Sequence, residues 1–182
     1  MEGLEGSLAC SSLVGACLVE TSDGYYVVGE LAPKTSMPGC LQISGGSVDS
    51  NDIDEDGTIH IMHSVIRECQ EDINIDLQDP TVVKNCQMKY INLPDKAHQY
   101  MFIAKAKLTI TKEQMEAHYA AYEQYLKDND LEIEFKKIHL IPKGKLQEYL
   151  EQENLLNNPT RDYLESLLEM DSNIDSLGEM DL

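Results

Sequence analysis

Arg67-Glu68-Cys69-Gln70-Glu71-Asp72-Ile73-Asn74-Ile75, with Gly45-Gly46 upstream, is the stretch on which the reading of this chain turns. The glycine pair closes an apolar run, Cys40-Leu41-Gln42-Ile43. The spacing that follows predicts a helix from Thr58 to Ile73, in which residues three and four apart share a face. Glu68 then faces Glu71 and Asp72, and Arg67 sits one turn from Glu71. Met62, Val65, Ile66, Cys69 and Ile73 fall on the other side at helical spacing. One stripe is for burial; the other concentrates negative charge. Like charges one turn apart weaken a helix, so the cluster needs a reason. Carboxylates beside a glycine loop suit a hard cation, which prefers oxygen ligands. The competing explanation is a solvated acidic face, common in a chain with 33 acidic residues. The glycine pair and the phased apolar stripe favour a site.

This stretch resembles the second half of the Nudix box, Gly-x5-Glu-x7-Arg-Glu-U-x-Glu-Glu-x-Gly-U, where U is aliphatic. Gly46 resembles its opening glycine, and residues 12 to 142 suit the Nudix fold in size and order of elements. Three positions depart from the pattern. Asp72 replaces the last glutamate and is still a carboxylate. Asn74 replaces the last glycine and is the next most tolerant residue for a left-handed helix end. Eight residues before Arg67, where the box has a glutamate, stands Ile59. The interval from Gly46 to Arg67 is also longer than the box allows, and an acidic loop, Asp49 to Asp56, fills it; either that loop supplies a substitute carboxylate or the site has one ligand fewer.

Composition narrows the classes. A chain of 182 residues with 42% hydrophobic residues forms one well-packed domain. It contains no apolar run of membrane-spanning length. Met1-Glu2-Gly3-Leu4-Glu5 lacks the basic region of a signal peptide, so a cytoplasmic protein is expected. Cys10, Cys17, Cys40, Cys69 and Cys86 show no metal-binding spacing and read as buried, reduced thiols. A net charge of −19 argues against nucleic acid or an anionic membrane as partner. It leaves room for a small phosphorylated substrate bridged by a divalent cation. Arg67 and Arg161 are the only arginines, which leaves phosphate contacts to metal and to lysines such as Lys34.

Cys17-Leu18-Val19 and Tyr25-Tyr26-Val27-Val28 read as a hairpin about Ser22-Asp23-Gly24. Gly29 to Gly39 is a loop and Leu41 to Ile43 a short strand. Val82 to Leu93 and Gln99 to Leu108 are strands joined through Pro94-Asp95. Thr111 to Leu126 is a helix capped by Thr111 and Gln114, and Glu132 to Leu140 a strand. Helices are expected from Lys143 to Leu155 and from Pro159 to Met170, where Pro159 suits a first turn. This order gives an α/β (α+β) domain, and the resemblance implies a mixed sheet between helices. The expected organisation is one domain over residues 1–170, with C-terminal helices over 143–170. Residues 171–182, acidic and aperiodic, are expected to be disordered.

The resemblance implies a Mg²⁺- or Mn²⁺-dependent pyrophosphohydrolase of a nucleoside diphosphate linked to another moiety. Glu68, Glu71, Asp72 and the Gly46 carbonyl hold metal, Glu68 orients or deprotonates the attacking water, and Arg67 braces the carboxylates. A base from outside the box comes from Glu132, Glu134 or Asp95. Ile59 motivates a second reading, a non-catalytic Nudix-like nucleotide-binding module. A third rests on Asp52, Asp54 and Asp56 with Gly57, which match the opening of an EF-hand calcium loop; its twelfth position, normally glutamate, is His63. His60 and His63 have no Cys or His partner at ligand spacing and read as surface imidazoles. The run from His118 to Tyr125 reads as helix packing in preference to a nucleobase pocket. A homodimer is the expected assembly, and the leaving group is not legible.

Overall fold

The computed structural model describes residues 12–92 and 99–178. Strands β1 (Ser12–Glu20) and β2 (Tyr25–Leu31) form the expected hairpin. Two short strands follow, β3 (Leu41–Gln42) and β4 (Ser44–Ser47), and then a single 3₁₀ turn, Ser50–Asp52. Helix α1 is Ile61–Ile73, and β5 (Val83–Asn92) and β6 (Gln99–Leu108) make a second antiparallel pair. Helix α2 is Lys112–Asp128, β7 is Phe135–Pro142, α3 is Leu146–Gln152 and α4 is Arg161–Gly178. No helix among the described residues is long and apolar enough to cross a membrane.

The strands make one mixed sheet in the order β3-β2-β1-β6-β5. β1 and β6 are parallel along their whole length, from Ser12 opposite Gln99 to Glu20 opposite Lys107. β1 and β2 pair only next to their turn, at Val19 with Val27 and Glu20 with Tyr26. Beyond it they splay. β4 takes over the freed edge of β1 from Val14 to Cys17, and β3 takes that of β2 at Gly29 and Glu30. The chain from Leu41 to Ser47 therefore crosses the mouth of a wedge, carrying Gly45-Gly46 with it.

Strand alternation divides the core between two faces. Cys17 and Val19 face one side with Val65, Cys69 and Ile73 of α1 and Met115 and Tyr119 of α2. Ala16, Leu18, Tyr26 and Val28 face the other, under Leu146 and Leu150 of α3 and Leu164, Leu167 and Leu168 of α4. The sheet is thus sandwiched between helices. Cys17, Cys40 and Cys69 are buried, Cys86 is half-buried, and all four are unpaired thiols. The anticipated cap of α2 is present: Thr111 Oγ1 accepts from Gln114 N, and the Gln114 side chain accepts from Thr111 N.

Boundaries differ from the sequence reading at several elements, and two of the differences matter here. β7 starts at Phe135, so Glu132 and Glu134 lie on the segment that enters the strand. α4 continues to Gly178, past Met170, where a disordered tail was expected to begin. The cause is Asp171, which is fully buried. Its carboxylate accepts from Tyr26 Oη at 2.7 Å, Tyr90 Oη at 2.6 Å and Lys105 Nζ at 2.6 Å. Lys105 also pairs with the buried Glu20 at 3.0 Å. Charge in a tail usually marks solvent; here it is consumed by a polar cluster under the helix.

Burial alone would raise the Asp171 pKa, but the bonds from Lys105, Tyr90 and Tyr26 outweigh it and hold the group below the usual aspartate value. A lowered folded pKa contributes stability above the unfolded value of about 3.9, and that contribution is lost as pH falls through the folded value. Wild type is therefore expected to lose stability more steeply below about pH 4 than Asp171→Asn in urea titrations. Asp171→Ala, which strips Lys105 and two tyrosines of their shared acceptor, is expected to cost about 3 kcal/mol at neutral pH.

Candidate active site

Helix α1 begins three residues later than its pattern suggested, because His60 still belongs to the preceding loop. It ends as expected. Asn74 takes the left-handed conformation (φ 55°, ψ 39°), and its N–H returns to the Cys69 and Gln70 carbonyls. His118 Nε2 lies 3.1 Å from Ile73 O and 3.0 Å from Asn74 O, and Tyr122 Oη donates to Glu71 O at 2.8 Å. The His118-to-Tyr125 run thus docks α2 on the end of α1, a packing role.

The helix lies against β1 and β4, and Glu68 rests on Gly46. A Cβ at Gly46 would overlap the Glu68 carboxylate, and one at Gly45 would overlap Ala16. Only glycine leaves room for that approach. Arg67 Nη1 donates to Glu68 Oε1 at 2.6 Å and reaches Glu71 Oε2 at 3.5 Å. Arg67 Nη2 donates to Asp52 Oδ2 at 3.0 Å and to Ser47 O at 3.2 Å. Asp52 is 2% exposed, so this is a shielded pair that fixes the guanidinium on the helix.

Asp52 corrects the reading of Ile59. Counted backward from Arg67, the box glutamate falls on Ile59, which is exposed and paired across a small hairpin with Ile53. Counted forward from Gly46, five residues lead to Asp52. The extra length lies after that carboxylate, between Asp52 and Arg67. The hairpin closes on itself through Asp54 N to Thr58 O at 2.9 Å and His60 N to Asp52 O at 2.8 Å. In this geometry the three aspartates of the calcium-like loop do not converge. Asp52 turns to Arg67, Asp54 contacts His60 Nε2 at 2.6 Å, and Asp56 accepts from Thr58 N at 2.9 Å, so the three aspartates point to three separate partners.

Asp72 is buried beneath the glycine pair. Its Oδ2 accepts from Ser44 Oγ at 2.8 Å and Gly45 N at 3.0 Å. Burial lifts its pKa to about 7, and the charges of Glu68 and Glu134 add to the rise while Ser44 and Gly45 oppose it. Burial likewise raises Glu68, against the pull of Arg67. It also raises Glu134, with Glu132 adding to the effect. Glu71 is largely exposed at the helix surface.

The structure separates the outside candidates. Glu134 lines a cavity of about 480 Å³ together with Gly45, Gly46 and Ser47. Glu132 and Lys34 line another cleft, with Lys127 and Lys136, and neither lines the glycine cavity. Asp95 lies outside the described residues.

Among the described residues no group of three Asp, Glu, His or Cys side chains is arranged to hold a metal ion. Glu68 and Asp72 are nonetheless oxygen donors of the kind a hard cation takes, and burial, more than any neighbouring charge, raises the pKa of each.

No family model matches the sequence, and no curated protein matches it either. Solved structures do match. DR0079 from Deinococcus radiodurans superposes with a TM-score of 0.54 at 13% identity, covering 92% of this chain and 88% of that one. A NUDIX hydrolase from Nitrosomonas europaea gives 0.50 at 13% identity over 87% and 70%. An Ap4A hydrolase from C. elegans gives 0.51 at 12% identity over 91% and 98%.

The fold is that of the Nudix hydrolases. α1 carries the stretch that resembles the second half of the Nudix box, and Gly46 lies on the strand against which it packs. Sequence reasoning placed a substitute carboxylate no more closely than the loop Asp49 to Asp56; it missed that Asp52 is the one paired with Arg67, and it missed Ser44 as the donor to Asp72. Counting from the glycine instead of from the arginine would have found the first. The second has no signal in the chain, because Ser44 meets Asp72 only when β4 and α1 pack.

A carboxyl with a raised folded pKa favours the native state at low pH and loses that contribution as pH rises through the folded value. In EDTA, Asp72→Asn is therefore expected to melt several degrees above wild type at pH 8. The advantage should shrink at pH 5, where Asp72 is already protonated. Equal melting temperatures at pH 8 would show that Asp72 is not held in an unfavourable charged state.

Proposed function

We propose that this chain is a Nudix-type hydrolase that cleaves the phosphoric anhydride of a nucleoside diphosphate linked to another group, with Mg²⁺ or Mn²⁺. The observation that carries the reading is the continuous set from Asp52 through Arg67 to Glu68 against Gly46. Folds alone do not fix function, but here each charged group of the box has a positioned partner. The neighbours support the substrate class. One is an Ap4A hydrolase, and another is a bifunctional NMN adenylyltransferase/ADP ribose pyrophosphatase from Francisella tularensis complexed with AMP and a Mn ion.

Glu68, Glu71, Asp72 and the Gly46 carbonyl are the groups that would hold the metal. Such an ion neutralises the diphosphate and lowers the pKa of bound water. The chain's own contribution is placement and proton transfer. Asp52 and Arg67 keep Glu68 directed at Gly46. Ser44 and Gly45 hold Asp72 beneath the loop. Glu134 is the base outside the box: it faces the cavity beside the glycines, and burial next to Glu132 makes it a better proton acceptor than an ordinary glutamate. The non-catalytic reading loses its motive once Asp52, and not Ile59, partners Arg67.

Hydrolysis of nucleoside diphosphate compounds by the purified chain, with each metal, tests this. Glu68→Gln is expected to abolish turnover with the fold intact. Glu134→Gln is expected to lower kcat by about 10²–10⁴-fold with little change in KM; an effect confined to Glu132→Gln would move the base there. Asp52→Ala is expected to lower kcat strongly and Ile59→Ala to leave it unchanged. The reverse ranking would restore Ile59 as the site of the missing box carboxylate. Wild type and Glu68→Gln equally inert on every compound would remove the enzyme reading.

A further inference from the structure

The cavity beside Gly45-Gly46 also has apolar walls that the phosphate chemistry does not use. Its walls are Val14, Leu41, Ile43, Met101 and Tyr163, with Thr160 at the rim. It draws on the central sheet and on the start of α4, elements far apart in sequence. No lysine, arginine or histidine is among its lining residues, so no basic side chain there competes to hold a phosphate. Its volume, about 480 Å³, falls within the usual range for small-molecule pockets.

The wall is held in place from both sides. Thr160 Oγ1 accepts from Leu41 N at 2.9 Å and donates to Leu41 O at 2.6 Å, and Asn158 Nδ2 donates to Gly39 O at 2.9 Å. These bonds tie the entry of α4 to β3. Tyr163 Oη donates to Met101 Sδ at 3.1 Å, which fixes the ring against β6. An aromatic ring fixed beside aliphatic walls, with charge only at the glycine end, suits a flat and uncharged group.

We infer that this cavity takes the nucleobase of the substrate, that Tyr163 and Met101 form its stacking wall, and that the start of α4 is therefore the specificity element of the chain. The inference rests on the hydrolase reading for the position of the diphosphate, at the Gly46 and Glu134 end. The base then lies away from the carboxylates, where stacking does not compete with like charge. The aromatic residue that reads the base is on α4, not among the tyrosines of α2.

The test uses wild-type protein carrying ¹³C-methyl methionine, with the Met101 signal assigned through Met101→Leu. AMP is expected to shift the Met101 methyl resonance, and ribose 5-phosphate, which lacks the base, to leave it in place. Tyr163→Ala is expected to weaken AMP binding roughly tenfold or more, and Tyr163→Phe, which keeps the ring, to stay within about twofold of wild type. A Met101 signal unmoved by millimolar AMP, or equal AMP affinity in wild type and Tyr163→Ala, overturns the inference. Hydrolysis separates it from the reading beneath. Turnover by wild type with an unmoved Met101 signal leaves the hydrolase standing and removes the base pocket. A shifted signal in a protein inert on every diphosphate keeps the pocket and removes the hydrolase.

Discussion

The contact between Glu68 and Gly46 is the constraint on which the site depends. A helix can bring a carboxylate onto a strand only where the strand has no side chain, and Gly45-Gly46 supplies that gap. Closeness alone would leave Glu68 free to rotate. Arg67 prevents this by bonding Glu68 with one nitrogen and Asp52 and Ser47 with the other. The planar guanidinium sets two directions at once, which a lysine ammonium does not do. Asp52 is itself fixed, since its carboxylate also accepts from Asp49 N at 3.1 Å. The loop, the helix and the strand thus share one rigid joint.

That joint explains why an enlarged loop is compatible with the site. The additional residues between Asp52 and Arg67 leave and return at the same place, because Ile53 bridges Ile59 and His60 N bonds Asp52 O. A longer loop adds little closure entropy when its ends are already held together. The insertion displaces neither the carboxylate before it nor the arginine after it. Asp54 and Asp56 bond locally with His60 and Thr58, so the acidity of that loop supports its own turn.

Much of this architecture was legible because it is periodic. The alternation of β1 separates Ala16 and Leu18 from Cys17 and Val19, and the stripe Val65, Cys69, Ile73 fixes which face of α1 is buried. Caps were legible too, at Thr111 and Asn74, since they depend on local side chains. What escaped were meetings between distant residues. Asp171 looks like tail acidity until Tyr26, Tyr90 and Lys105 from three strands are placed around it. Glu134 could not be ranked above Glu132 while both were expected within one strand. They lie on the segment entering β7, and only Glu134 lines the glycine cavity. Asp52 was hidden by the direction of counting, because an insertion shifts every position on one side of it and none on the other.

The two polar clusters of the protein show opposite solutions to buried charge. Under α4, Asp171 and Glu20 meet Lys105, and the Asp171 carboxyl stays below its ordinary pKa. Around the glycine pair, Asp72 meets the Ser44 hydroxyl and the Gly45 amide, Glu68 meets Arg67, Glu134 lines the adjoining cavity, and burial raises all three carboxyls. A fold able to place a lysine beside one buried aspartate has not placed one beside the other. The first cluster is complete and holds a helix in position. In the second, burial is the main cause of the rise, and a cation bound there, as proposed, would oppose it. α4 joins the complete cluster to the cavity: its Asp171 locks into the cluster, and Tyr163 in its first turn, with Thr160 just before it, lines the cavity on the same face of the sheet. The position of that wall is therefore set by the charges buried under the same helix.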